Sequence, residues 1–123
     1  MILVDSSVWI DHLRATEPDL VRCLEADEVG THDLVVEELA LGSVKDRTAL
    51  VRDLHRMRSF PRASHAEVLR LVDAHRLHGT GLGAVDAHLL AAVLLQPGAQ
   101  LWTRDKRLRA AGASAGARLV GWR

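Results

Sequence analysis

Two short apolar runs, one near each end of the chain, constrain the possible folds more than any other feature. The first covers residues 2–4 and is followed by Asp5, and the second begins with Leu101-Trp102 and continues through Thr103-Arg104 to Asp105. Short continuous apolar runs are typical of parallel strands that are buried on both faces of a sheet. Because the carboxyl ends of neighbouring parallel strands share one crevice, where open α/β sheets bind ligands, we expect these two acids to lie together.

The rest of the chain alternates between strand-like and helix-like patterns. Ser64 and Glu67 have the spacing of a helix capping box, and the small residues 112–117 are predicted to form a loop. Strands are predicted at residues 1–4, 29–32, 100–103 and 118–120. Helices are predicted at residues 7–13, 19–26, 35–41, 46–57, 65–77, 84–95 and 105–111. This order predicts one three-layer α/β domain over residues 1–123, with a mainly parallel central sheet flanked by helices.

The composition narrows the class and compartment of the protein. A length of 123 residues suits one domain with a core of its own. The lone cysteine, Cys23, excludes a disulfide framework and a cysteine-based zinc site, and it suits a reducing compartment. No apolar run approaches the roughly 20 residues that span a bilayer, and no basic region leads an apolar stretch at the N-terminus. We therefore expect a cytoplasmic protein with no membrane partner.

Two further acids fall inside helix-like patterns. Glu38 lies among apolar side chains at helical spacing in residues 35–41, and Asp86 lies in the first turn of residues 84–95. Taken singly, each of the four acids has an ordinary explanation as a helix cap, a first-turn acid or a solvated helix residue. Together with Asp5 and Asp105 they would repel one another. The usual reason to tolerate such a set is a divalent cation that prefers hard oxygen ligands, Mg²⁺ or Mn²⁺.

The charge distribution permits a nucleic-acid partner without requiring one. Lys and Arg number 16, and Asp and Glu also number 16. If four acids are held in one metal site, the remaining surface is mildly basic and attracts a phosphate backbone. Arg104, Lys106 and Arg107 flank Asp105, where contact with phosphate and a plain solvated helix start are both open interpretations. Aromatic residues make up only 3% of the chain, which argues against a base-stacking platform.

Four segments together resemble one known family in order and over the whole chain. They read VDSSVWID at residues 4–11, VEELALG at 36–42, GAVDAHLLAA at 83–92 and LWTRDKRL at 101–108. Each segment alone is weakly specific, but the set is similar to the PIN-domain ribonucleases, specifically the VapC toxins of bacterial toxin–antitoxin pairs. The resemblance implies a PIN-like fold in which Asp5, Glu38, Asp86 and Asp105 are the metal-site acids.

The resemblance also implies roles for neighbouring side chains and for the products. Ser6 and Thr103 match hydroxyl positions that orient the metal shell. Glu37 adjoins Glu38, and the Glu-Leu-x-x-Gly phrase assigns the role to Glu38, since a shift of one residue turns a helix by about 100°. The implied reaction is endonucleolytic cleavage of structured RNA with Mg²⁺ or Mn²⁺, leaving a 5′-phosphate and a 3′-hydroxyl.

The implied partners are RNA, a second copy of the chain and a small antitoxin, which would hold the toxin in check. The helical patterns at residues 18–26 and 35–41 carry more apolar residues than we expect a small monomer to bury, including Val36, Leu39 and Leu41. An amphipathic antitoxin segment is predicted to lie there and to place a basic side chain among the four acids.

Hydrolysis with a metal ion also follows from the residues themselves. The chain has no Gly-x-Ser-x-Gly motif, and Cys23 has no nearby His motif. A metal ion lowers the pKa of a bound water and clamps a phosphodiester for in-line attack, so it replaces a side-chain nucleophile.

Two other functional classes fit the length and layering. A receiver-like phosphotransfer domain needs an acidic pair after the first strand, and a haloacid-dehalogenase-like phosphatase needs an Asp two residues after the first; Ser6 and Ser7 follow Asp5 instead. A catalytically silent α/β interaction module predicts no metal dependence and no shared pocket. Binding of Mn²⁺ to the wild type and to Asp5→Asn separates these alternatives.

Overall fold

Strand β1 (Ile2–Val4) lies inside a four-stranded sheet whose described strands are all parallel. The structure is a computed structural model, and it describes residues 1–121. The strand order is β2-β1-β3-β4, with β2 at Val29–Gly30, β3 at Gln100–Trp102 and β4 at Arg118–Leu119. Strand β1 therefore pairs with β2 on one side and with β3, from the far end of the sequence, on the other. The predicted α/β fold with a parallel central sheet is confirmed.

Seven helices of the described chain flank this sheet. Their bounds are α1 Ser6–Arg14, α2 Pro18–Glu25, α3 Asp33–Leu41, α4 Arg47–His55, α5 His65–Ala74, α6 Ala84–Leu95 and α7 Lys106–Ser114. Helix α6 has the predicted bounds. The predicted capping box forms at the start of α5, where the Glu67 amide donates to Ser64 Oγ over 3.1 Å and the Ser64 amide donates to Glu67 Oε1 over 2.8 Å. None of these helices combines the length and apolar character needed to cross a membrane.

The prediction of a loop over residues 112–117 was wrong at its start, because α7 continues to Ser114. Gly112 is buried on the inner side of α7, and a Cβ built there would lie 2.9 Å from Leu119 Cδ2. The Leu119 side chain therefore packs directly against this glycine, where α7 and β4 come close together. Tertiary packing therefore outweighs the low intrinsic helix propensity of glycine, which costs about 1 kcal/mol relative to alanine.

Several further boundaries differ from the sequence prediction. Helix α5 ends at Ala74 and not at residue 77, and α4 covers Arg47–His55 and not residues 46–57. The second strand stops at Gly30, and Thr31 forms an isolated parallel bridge with Ser59. Helix α3 begins at Asp33, two residues earlier than predicted, because His32 Nδ1 accepts a hydrogen bond of 3.0 Å from the Leu34 amide and so caps the helix. The single domain expected over residues 1–123 includes positions 122–123, which lie outside the described residues.

The core packs the central strands against α6. Leu3, Val4, Leu101 and Trp102 are fully buried in the sheet, and α6 contributes the largest set of buried helical side chains. Fully burying one large aliphatic side chain contributes roughly 1.5–3 kcal/mol, so these strands form a rigid base. The acids that follow β1 and β3 are positioned by this base.

Candidate active site

Asp5 is held by two hydroxyl groups, one from helix α1 and one from the residue that follows β3. It follows β1 at the N-cap position of α1, yet its side chain makes no capping hydrogen bond. Instead, Oδ2 accepts from Ser7 Oγ and from Thr103 Oγ1, each over 2.8 Å, and the residue is only 4% exposed. Two hydroxyl donors fix the carboxylate in one orientation.

Ser7 is the residue of this site that the sequence analysis missed. Its hydroxyl oxygen accepts from the Arg104 amide over 3.0 Å while it donates to Asp5. Thr103 Oγ1 in turn accepts from the Asp105 amide over 3.0 Å. The Asp-Ser-Ser triplet was the available signal, because a hydroxyl two residues after a helix-initiating Asp lies close to its carboxylate.

Glu38 reaches the same place from helix α3. Ser6 Oγ donates to Glu38 Oε1 over 3.1 Å and lies 3.5 Å from Asp5 Oδ1, so this hydroxyl lies between the two acids. Burial raises the pKa of the Glu38 carboxyl, the Ser6 hydrogen bond opposes that rise, and the Asp5 charge adds to it. The adjacent Glu37 is exposed, and it is Glu38 that meets Ser6.

Asp86 lies in the first turn of α6 and is half-buried. Its pKa is raised to about 6, first by burial and then by the negative charges of Asp5, Asp105 and Glu38. Asp5, Asp105 and Glu38 therefore lie near enough to Asp86 for their charges to act on its carboxyl. We call these four residues the acid cluster.

Asp105 has a structural task as well as a place in the acid cluster. It is the N-cap of α7, and its Oδ1 accepts from the amides of Arg107 and Leu108 over 2.9 and 3.0 Å. The ordinary explanation of this acid as a helix cap is therefore true. Asp105 also belongs to the acid cluster, because the same carboxylate raises the pKa of Asp86.

The donor chemistry of the acid cluster fits a hard divalent cation, since carboxylate oxygens are the ligands that Mg²⁺ and Mn²⁺ prefer. Among residues 1–121, no three His, Cys, Asp or Glu side chains already form a group that could hold a metal ion. Asp5 is buried, whereas Glu38 and Asp105 are exposed.

The three basic residues next to Asp105 differ in their surroundings. Arg104 donates to Asp11 Oδ2 over 2.7 Å and pairs with Glu17 Oε1 at 3.0 Å, which raises the pKa of its guanidinium. Lys106 and Arg107 are exposed in the first turn of α7. Arg104 therefore joins the end of β3 to α1, while Lys106 and Arg107 face solvent.

An apolar groove of about 350 Å³ opens beside Glu38. Ile10, Leu13 and Arg14 of α1 form one side, and Leu39 with residues 42–45 forms the other. The expectation of unburied apolar residues on α3 was wrong for Val36 and Leu39, which are buried in the core, and right for Leu41, which is 88% exposed. The groove thus lies between α1 and α3, and not between α2 and α3.

Comparisons with known proteins agree with the fold. Residues 2–113 match the family model described as the PIN domain. Ribonuclease VapC32 from Mycobacterium tuberculosis strains CDC 1551 / Oshkosh and H37Rv is 59% identical over 120 residues, which cover 98% of this chain and 97% of the relative.

Two solved structures have the same fold at low sequence identity. FitAB bound to the IR36 DNA fragment gives a TM-score of 0.66 at 20% identity, covering 98% of this chain and 94% of that chain. FitAcB from Neisseria gonorrhoeae gives a TM-score of 0.65 at 19% identity, covering 98% and 97%. The family match, the close relatives and the shared fold lead to one conclusion: the chain belongs to the PIN-domain family and, within it, to the VapC proteins.

Proposed function

We propose that this protein is a metal-dependent endoribonuclease and the toxin of a toxin–antitoxin pair, acting in the cytoplasm. The observation that carries the proposal is the convergence of four carboxylates from four separate segments at the carboxyl edge of a parallel sheet. The name of the relative that is 59% identical, a ribonuclease, supports the same substrate class.

Asp5 and Asp86 are the residues that would hold Mg²⁺ or Mn²⁺ most directly, with Glu38 and Asp105 contributing through water or a second ion. The bound cation would supply an acidified water as nucleophile and would neutralise the developing charge on the phosphodiester. Asp5 is suited to this task because Ser7 and Thr103 hold one of its oxygens on the protein side, while the other lies towards Ser6.

Ser6 and Thr103 act as positioning residues. Thr103 links two of the acids, since its hydroxyl donates to Asp5 and accepts from the backbone of Asp105. Ser6 contacts Asp5 and Glu38 in the same way across α1 and α3. A fixed cluster costs little reorganisation when charge develops on the substrate, which is the general source of electrostatic catalysis.

The antitoxin part of the proposal rests on the groove between α1 and α3. An amphipathic helix with apolar anchors would cover Ile10 and Leu13, which are 38% and 42% exposed. Arg14 and Lys45 line the groove and suit acidic residues on such a helix, and Glu38 suits a basic one. A basic side chain at Glu38 would compete with the cation. A homodimer stays a prediction.

Expression alone and with the neighbouring reading frame tests both parts together. The wild type should arrest growth and, once purified, should cut total RNA in Mn²⁺ but not in chelator, leaving 5′-phosphate ends. Co-expression of the neighbouring frame should restore growth, and Leu13→Glu should block that rescue while leaving cleavage intact. Normal growth with intact RNA at high expression would end the toxin assignment.

A further inference from the structure

A second cleft, of about 390 Å³, lies between the end of helix α5 and helix α7. Its cationic side chains are Arg76, Lys106 and Arg107, and we call it the basic cleft. No Asp or Glu is among the residues that line it, and Leu77 and Ala110 add apolar surface between the cations. A lining of separated cations and apolar patches suits a ligand with both phosphates and rings.

The basic cleft adjoins two members of the acid cluster through the chain itself. Lys106 and Arg107 directly follow Asp105, and the segment that leaves Arg76 runs into α6, which carries Asp86. The side chain of Arg107 lies over that segment, because a Cβ built on Gly81 would be 3.1 Å from its guanidinium carbon. A polyanion cut at the acid cluster therefore has neighbouring phosphates within reach of the cleft.

Arg76 occupies a backbone conformation that normally selects glycine. Its φ is +52°, and it directly follows the C-cap of α5. The Leu77 amide donates to the Val72 carbonyl over 3.0 Å and the Arg76 amide to the Asp73 carbonyl over 3.4 Å, which is a Schellman ending. The left-handed conformation costs a residue with a Cβ about 1 kcal/mol or more.

The two other non-glycine residues with positive φ in the described chain are Asp27 and Asp46, a residue type that tolerates this region. Arginine has no such allowance. The backbone conformation at position 76 does not favour arginine. We therefore attribute the presence of arginine at this position to its side chain.

The three cations of the basic cleft have no acid of their own. Among the ion pairs of residues 1–121, none includes Arg76, Lys106 or Arg107, whereas Arg104 pairs with Asp11 and Glu17. Uncompensated, clustered positive charge beside a cutting site is the electrostatic footprint of a phosphate backbone.

We propose that the basic cleft binds the phosphate backbone of a single-stranded stretch of the RNA substrate, next to the bond that is cut. The inference rests on the function proposed above and adds how the substrate is held. A single strand fits because a cleft of this volume admits individual nucleotides, whereas an A-form duplex offers its backbone across a wide, shallow groove.

Binding of a fluorescein-labelled 12-nucleotide oligouridylate, measured by anisotropy in chelator so that nothing is cut, tests the proposal. Arg76→Gly/Lys106→Gln/Arg107→Gln should raise Kd at least about tenfold. A plot of the logarithm of the association constant against the logarithm of the salt concentration has a negative slope, and each lost phosphate contact should make that slope less steep by about 0.7. Arg76→Gly alone should weaken binding while the melting temperature holds or rises, an outcome that a structural role for this residue does not produce.

Arg118→Gln is the matched control, because Arg118 is exposed and pairs with Gln100 at the amino end of β3, away from the acid cluster. It should bind RNA as the wild type does. A wild type that does not bind the oligonucleotide, a triple variant within twofold of it, or equal competition by a polyglutamate peptide would each overturn the proposal. If the oligonucleotide binds through the cleft but the protein cuts no RNA, the cleft proposal stands and the ribonuclease proposal fails. If the protein cuts RNA but the triple variant binds as well as the wild type, the ribonuclease proposal stands and the cleft proposal fails.

Discussion

Two groups of acids lie near residues 103–105, and only one of them is neutralised by a basic side chain of the protein. Asp11 and Glu17 share the guanidinium of Arg104, at 2.7 and 3.0 Å. The acid cluster has no such partner, since no ion pair within residues 1–121 includes any of its four members. Arg104 neutralises the first group within the protein, whereas the acid cluster is left to the cation proposed above.

The largest expected difference between the two groups is in RNA cleavage. Asp86→Asn should lower the cleavage rate about 100-fold or more, because it removes a ligand charge while preserving side-chain volume. Asp11→Asn is the same chemical change in the neutralised group, and it should leave the rate within a few-fold of the wild type. Rates on one labelled RNA in Mn²⁺ compare them, and equal losses would erase the distinction.

Thermal melting should show the next largest difference. A cation at 100 times its Kd stabilises the folded state by about 2.7 kcal/mol, which for a domain of this size is a rise of about 10 °C. Mn²⁺ should give this rise in the wild type and in Asp11→Asn but not in Asp5→Asn. If the melting temperature of the wild type is indifferent to millimolar Mn²⁺ at neutral pH, the metal site is refuted.

A smaller effect should appear in the pH dependence of stability without metal. The pKa of Asp86 is raised from 3.8 to about 6, so the folded state holds this proton more tightly than the unfolded state does. This group's contribution to stability is therefore full below pH 3.8, declines between pH 3.8 and 6, and stays low above pH 6. Asp86→Asn should flatten the decline in urea titrations and should be more stable than the wild type at pH 7. A steeper decline in the variant would contradict this account.

The smallest effect should come from removing the ion pair between Glu17 and Arg104, and it should appear in the free energy of unfolding. Glu17→Gln should lower the free energy of unfolding by roughly 0.5–1 kcal/mol, since the pair with Arg104 is only partly buried and solvent screens it. High salt should reduce the difference. A loss of cleavage as large as that of Asp86→Asn would mean that Arg104 and its acids belong to the catalytic site.

Much of the acid cluster was predictable because its members have local signatures. Asp5 and Asp105 follow buried parallel strands. Asp86 lies in the first turn of α6, and the apolar pattern predicted the bounds of that helix correctly. The capping box of Ser64 and Glu67 was predicted correctly for the same reason, since all its partners lie within four residues.

The parts that escaped prediction depend on contacts between distant segments. Ser7 meets Arg104 across 97 positions, and Arg104 meets Asp11 across 93, so no local pattern points to either pair. Helix α7 runs through Gly112 because Leu119 packs against it, which the small-residue composition of that segment does not reveal. The groove between α1 and α3 escaped prediction in the same way, because helix packing decides which apolar residues stay exposed.

The hydrogen bond from Thr103 to Asp5 spans 98 positions and joins the first strand of the chain to the third. During synthesis, β1 and the segment up to α6 emerge before Thr103 and Asp105 exist. Parallel pairing of such distant strands is also slow to form, because a long loop must close first. For the ribonuclease proposed here, the site would stay incomplete until Thr103 and Asp105 have been made and β3 has paired with β1.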